Sequence, residues 1–275
     1  MFNSRQLAVY TRKNFRLLLN MRGIANLAGA IIIPFVITFV FKQDEMFIHY
    51  QPTKIASFAF TCGAIWIGLF NSVTSICSER KIVKFEYQMK NLDLTAYIMS
   101  RIRTEAALCG IEAVLMTIVL LVSYIENIQD VMVQVPLLWV TIFLIMFSSD
   151  ALAVLISSIV KKSSVAMTVM PFVLIVQLIF SNFIRRLSEI GGLAEKISYL
   201  TIARWGGTAF FSIANRGSLI SEKGTSDWTV LQADGSLYTF SVLKIVRCWG
   251  VLICFSFIFI FAATQVLKMV KNDQR

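Results

Sequence analysis

The chain has 275 residues, 57% of them hydrophobic and 15% charged, with a mean hydropathy of +0.71. Soluble domains are usually about a quarter charged, so this composition excludes one and points to an integral membrane protein. The net charge of +10 does not mark a nucleic-acid binder, because the basic residues stand at the ends of apolar segments instead of forming one patch interleaved with exposed aromatics.

Crossing about 30 Å of hydrocarbon takes about 20 helical residues, and six runs of that size fit the sequence. Ahead of them, residues 5–22 read as an interfacial amphipathic helix, with Arg5, Arg12, Lys13 and Arg16 on one side and Leu7, Tyr10, Leu17, Leu18 and Met21 on the other. That segment lacks the continuous apolar stretch and small-residue cleavage site of a signal peptide. The first span, 24–41, is interrupted only by Pro34, which neighbouring helices can accommodate. The second, 55–77, contains Trp66, Gly68 and Asn71 and leads into a charged island at 78–103.

The third span, 104–124, carries Glu112, and the fourth, 135–160, carries Asp150. Lys161 and Lys162 mark a tight turn into the fifth span, 164–181, and the last span is 242–267. Between them, the segment 182–241 has apolar stretches, the pairs Gly191-Gly192 and Gly206-Gly207, and Arg204-Trp205. These predict short helices re-entering the outer leaflet, followed by a Gly-, Ser- and Asp-rich exposed loop.

Orientation follows from the basic residues. With both termini inside, the inner segments hold 16 Lys and Arg against two in the short outer loops, so the topology is N-in and C-in with the island cytoplasmic. Cys62, Cys77, Cys109, Cys248 and Cys254 all fall in or beside apolar runs, and no outer loop holds a pair; structural disulfides are not expected.

Two acids inside spans need an explanation, since a carboxyl in the bilayer is costly. Helix rise places Glu112 and Asp150 at about the same depth, roughly 14 to 16 Å from the inner surface. A buried polar network and a proton or cation relay both fit. Along the fifth span, Ser163, Met167, Met170, Leu174, Gln177 and Ser181 recur at alternating spacings of four and three. Methionines with one amide suit either an adaptable wall or ordinary helix packing. His49 is the single histidine, no Asp/His cluster has metal-ligand spacing, and no GxxxxGK[ST] loop occurs. Neither a membrane enzyme nor ATP hydrolysis by this chain is therefore expected.

Trp66-Ile67-Gly68-Leu69-Phe70-Asn71, then Glu79-Arg80-Lys81-Ile82, Glu86, and the run from Asn91-Leu92-Asp93-Leu94 to Ser100-Arg101 together resemble the membrane subunit of short six-span, G-subfamily-like ABC exporters. Within these, the resemblance is nearest to bacterial permeases allied to ATPases that carry a forkhead-associated domain. The segment Ile197–Phe211 is similar to the family's segment before its last span. Phe85 stands where a basic residue is common, the island is about one residue longer than usual, and Ser181-Asn182 replaces a small-glycine step.

The resemblance implies an all-α permease in the plasma membrane, a single multi-pass transmembrane domain that exports a hydrophobic or amphipathic substrate by alternating access. It implies a coupling helix at about Glu79–Asn91, with Glu79, Arg80, Lys84 and Glu86 meeting an ABC ATPase. The assembly would be two permeases, identical or homologous, with two ATPases. ATP and Mg would be bound by the partner and no cofactor by this chain. The family's second and fifth spans face each other across the substrate path, which assigns Gly63, Ile67, Asn71, Met167, Met170, Leu174 and Gln177 to it. The alternative from the residues alone is a proton-coupled secondary transporter using Glu112 and Asp150, although no inverted repeat with broken helices is visible. No N-x-[ST] acceptor occurs in the outer segment, in line with a bacterial origin.

Overall fold

The computed structural model describes residues 4–18, 21–41, 46–89, 93–181, 183, 192–217 and 240–269, nearly all of them helical. The helices are α1 (Ser4–Leu18), α2 (Met21–Val40), α3 (Tyr50–Ser72), α4 (Ser75–Gln88), α5 (Leu94–Tyr124), α6 (Val131–Ile159), α7 (Ser163–Ile179), α8 (Gly192–Ser198), α9 (Ile202–Ala214) and α10 (Val242–Met269). A 3-10 turn, Asn215–Gly217, follows α9.

The helix α6 is the centre of the bundle and packs against α3, α5, α9 and α10. Its closest approach is to α3: a Cβ placed on Gly68 would stand 2.3 Å from the carbonyl oxygen of Met146. Only a residue without a side chain lets these two backbones touch, the usual means of tight packing where lipid supplies no hydrophobic driving force. Serine and threonine survive inside these apolar helices because their hydroxyls donate to carbonyls one turn back, as in Ser57 to Thr53, Thr61 to Ser57 and Thr117 to Ala113. At one end of the bundle, Ile76, Val83, Leu94, Tyr97, Ile98, Ile102, Val154 and Leu267 form a separate apolar cluster. It joins α4 to α5, α6 and α10.

Four helical stretches are long and apolar enough to cross a membrane: Tyr50–Val83, Leu94–Tyr124, Val131–Ile159 and Val242–Lys268. Two shorter apolar stretches, Leu27–Val40 and Ser163–Ile179, stand beside them. The expected first and fifth spans are these shorter ones. Each contains a proline, Pro34 or Pro171, and the 17 residues of α7 reach only about 26 Å at about 1.5 Å each.

The expected second span, 55–77, lies within the stretch Tyr50–Val83, which a two-residue turn interrupts near its end. Its helix ends at Ser72, turns at Val73 and Thr74, and restarts as α4. The helix at the expected coupling segment begins at Ser75, ahead of Glu79, and the Ser157 hydroxyl of α6 accepts from the backbone N–H groups of Ile76 (3.0 Å) and Cys77 (3.1 Å) in its first turn. That cap comes from a helix about 80 positions away, so local sequence gives no sign of it. Asn91, its expected end, lies outside the described residues. At the start of α5 the Asp93 carboxylate accepts from the Thr95 N–H at 3.0 Å, a conventional N-cap.

In the long segment before α10, α9 is buried along most of its length against α3, α6 and α10. Gly206 faces Ile145 and Gly207 faces Phe183, each leaving no room for a Cβ. Both glycines of the expected re-entrant helix thus mark close contacts.

Candidate functional site

The charged island folds as a clamp. On one side, Arg80 Nη1 donates to the carbonyls of Ser158 (3.2 Å) and Val160 (3.1 Å), tying α4 to the end of α6. On the other, the Tyr10 hydroxyl of α1 donates to Glu86 Oε2 at 2.8 Å, and the Tyr97 hydroxyl of α5 donates to Glu79 Oε2 at 2.9 Å. Lys13 Nζ stands 3.7 Å from Glu79 Oε1, and the Tyr10 and Tyr97 rings meet edge to face at 6.0 Å. Gln6 Oε1 accepts from the Asp93 N–H at 3.0 Å, and the Asn14 amide reaches Ser100 Oγ at 3.4 Å. The surface helix is therefore fastened to both ends of the island.

Burial, with the Glu86 carboxylate beside it, pushes the Tyr10 hydroxyl up to about 12. It remains a donor throughout the physiological range.

Three of the expected ATPase-coupling residues, Glu79, Arg80 and Glu86, are thus engaged within the chain. The side chain of Lys84 lies outside the described residues. Beside the exposed Ser78 and Lys81, Ile82 and Phe85 of α4 and Met89 just after it are 55%, 64% and 60% exposed. Their spacing of three and four places them on one stripe. That spacing is visible in the sequence, but the surrounding charges draw attention away from it.

The two expected intramembrane acids are brought together, with a third beside them. Asn71 Nδ2 donates to Glu112 Oε2 at 2.7 Å. Glu105 lies 3.4 Å from Arg101 Nε, one turn earlier on α5. The Asp150 carboxyl of α6 feels the charges of Glu105, Arg101 and Glu112. Glu112 and Asp150 are wholly buried and Glu105 nearly so. Glu105 escapes notice in the sequence because it stands at the expected edge of a span, where a charge is unremarkable. Among the described residues, no group of three or more His, Cys, Asp or Glu could hold a metal ion.

The residues expected to line a substrate path divide between surface and interior. Asn71 is half-buried and Met167 is 46% exposed, whereas Gly63, Ile67, Met170, Leu174 and Gln177 are buried within the chain. Gly63 packs on Ile33 of α2. The open side of α3 instead shows Trp66 stacked on Phe70, ring centroids 5.0 Å apart.

Gln177 holds α9 in place, since its Oε1 accepts from the N–H groups of Ile202 (2.8 Å) and Ala203 (3.4 Å) at the start of that helix. Gln177→Leu should therefore lower stability by about 1 to 3 kcal/mol through buried N–H groups left unpaired. A depressed melting temperature of the purified permease in detergent is the expected reading; unchanged melting would remove the cap from this account.

Residues 5–214 match the family described as ABC-2 type transporter. No individually curated protein matches the chain.

Proposed function

The chain belongs to the ABC-2 type transporter family, and from that premise we propose that it is the exporting permease of an assembly of two permeases and two ABC ATPases. The coarse function, a multi-pass membrane permease subunit and not itself a catalyst, comes with the family. The reading adds six spans, both termini in the cytoplasm, and outward movement of a hydrophobic or amphipathic substrate.

The observation that carries it is the build of α4. This helix stands between the ends of α3 and α5, is bonded to α6 through Ser157 and Arg80, and leaves a stripe of Ile82, Phe85 and Met89 uncovered. A partner that grips the stripe moves a helix already attached to the membrane bundle. Closure of two ATPases on ATP would then displace α3 and α6 together and change the access of a central path between the protomers. On this reading the stacked Trp66 and Phe70, with Asn71 and Met167, line that path. Aromatic and thioether surfaces suit apolar cargo. The lower half of the clamp, α1, lies on the inner membrane surface.

Copurification tests the assembly directly. The tagged permease, extracted gently from its own host's membranes, should bring down an ABC ATPase identifiable by mass spectrometry. Inside-out vesicles containing the pair should accumulate a lipophilic probe on addition of ATP with the proton gradient collapsed. Absence of an ATPase, or accumulation driven by the gradient alone, would overturn the reading in favour of a secondary transporter.

A further inference from the structure

Of the polar cluster between α3, α5 and α6 the transport reading uses only Asn71, and the cluster's hydrogen bonds do not close. Arg101, Glu105, Cys109 and Glu112 stand at spacings of four, four and three on α5. They form one row that climbs about 16 Å into the bundle. Glu112 accepts from Asn71, and Glu105 is paired with Arg101. Both Asp150 carboxyl oxygens, Glu112 Oε1, Glu105 Oε2, Arg101 Nε and the hydroxyls of Ser72 and Ser149 are buried and have no hydrogen-bond partner, the Arg101–Glu105 contact being an ion pair without hydrogen-bond geometry. Ser72 lies beside the carboxyls of both Glu105 and Asp150, with its hydroxyl outside bonding geometry.

Three carboxyls face one guanidinium, so two negative charges stay unbalanced even if the amide and the two serine hydroxyls all donate. A buried acceptor or charge without a partner is expensive. The arrangement does not suit a metal ion, since no group of three or more ligating side chains is placed for one among the described residues. The ligand that supplies a donor without needing space is a proton.

We propose that this cluster is a proton-binding site, filled from the cytoplasmic end of the α5 row, whose occupancy follows the movement of the coupling helix. The linkage to movement and the side of entry rest on the transport reading above; proton binding itself does not. Ser72 is the last residue of α3, directly before the turn into α4. Asp150 stands two turns before Ser157 and Ser158, which hold the other side of α4. A push on α4 therefore shifts Ser72 and Asp150 together against the acids of α5. In one position a carboxylate takes a proton from cytoplasmic water, becomes a carboxylic acid, and donates its O–H to a neighbouring carboxylate. In the other, the same proton returns to water.

Few other ionisable groups face the cluster. From α5 come Arg101, Glu105, Cys109 and Glu112, while α3 contributes the neutral Asn71 and Ser72. On the remaining faces of α6, α7 has no ionisable side chain, α9 has only Arg204, and α10 has only cysteines between Arg247 and Lys268. The described charges of α4, namely Glu79, Arg80, Lys81 and Glu86, belong to the helix beyond the turn at Val73 and Thr74. If the two positions bind the proton unequally, pH must shift the balance between them by the same coupling.

The test is infrared difference spectroscopy of the permease, alone and assembled with its ATPase, in zwitterionic-lipid nanodiscs. The expected result is a C=O stretching band of a protonated carboxyl that shifts in D2O and is lost or strongly reduced in Asp150→Asn. Asp150→Glu should restore it at an altered frequency, and Glu112→Gln should displace it. In the assembly its intensity should differ between nucleotide-free and ATP-trapped states. The pH profile of substrate-stimulated ATPase activity should flatten in Asp150→Asn and recover in Asp150→Glu. A spectrum without the band, one unchanged by Asp150→Asn and Glu112→Gln, or a sodium requirement in place of the pH dependence would overturn the proton site. A band present in the permease but indifferent to nucleotide would overturn its coupling. Failure to find an ATPase removes the transport reading instead, and the permease-alone spectra still decide proton binding.

Discussion

Gly68→Ala is expected to destabilise the permease by about 3 kcal/mol, at the upper end for an inserted methyl group, and Gly68→Leu to abolish folding. The new Cβ would stand 2.3 Å from the Met146 carbonyl oxygen and 3.0 Å from its carbon. Both are backbone atoms in the middle of α6, so no side chain can turn aside; the helices must separate. That separation would also widen the seam beside Ser149, whose Cβ is 3.0 Å away. Gly110→Ala and Gly250→Ala are the controls, since an added Cβ there meets nothing within 4 Å. Alanine is favoured over glycine in a helix by about 1 kcal/mol, so these two variants should melt at or above the parent. The measurement is the thermal unfolding midpoint and monodisperse yield after extraction. Equal behaviour of all three alanine variants would mean that α3 and α6 do not meet at Gly68.

The second large effect concerns the exposed stripe of α4. Phe85→Asp, alone or with Ile82→Asp, should weaken retention of the ATPase by about 2 kcal/mol or more, roughly thirtyfold, as for an apolar anchor at the centre of an interface. The permease itself should insert and melt as before, because Ile82 and Phe85 contribute nothing to its buried core. Glu86→Gln is the informative contrast. Its carboxylate is occupied by Tyr10 at 2.8 Å, so the change should cost at most about 1 kcal/mol of the clasp between α1 and α4 and leave partner binding largely intact. Quantitative pull-down of the pair at rising salt separates the two cases. An apolar contact persists at high salt, whereas one made by exposed acids fades within a Debye length of about 3 Å at 1 M. Strong loss in Glu86→Gln with none in Phe85→Asp would return the contact to the charged residues.

These two predictions differ in how far the sequence announces them. Ile82, Phe85 and Met89 already lie at helical spacing in the sequence, and only their exposure was missing. The role of Gly68 depends on Met146, 78 positions later, and nothing local distinguishes it from Gly110 or Gly250. The same contrast holds among the acids. Glu112 and Asp150 stand out because charge in an apolar run is rare, whereas Glu105 sits where a span begins and joins them only when α5 extends back to Leu94. Gln177 shows a different limit. Its place on a Met-rich stripe matches a path-lining amide, yet its carbonyl is held by two N–H groups of α9.

By itself the sequence determined that this is an all-helical membrane protein, where its main apolar helices lie, that a charged island interrupts them, and that it carries no phosphate-binding loop of its own. These follow from composition, hydropathy, motif and helical period, which the residues carry with them. Tertiary structure alone decided which face of α4 is occupied and which is open. It alone decided which glycine permits two backbones to touch, and that three carboxyls share one buried seam. Each depends on a partner far away in the chain, supplied by Tyr10, Ser157, Met146 or Asn71, and a one-dimensional pattern does not record which helix will stand beside it.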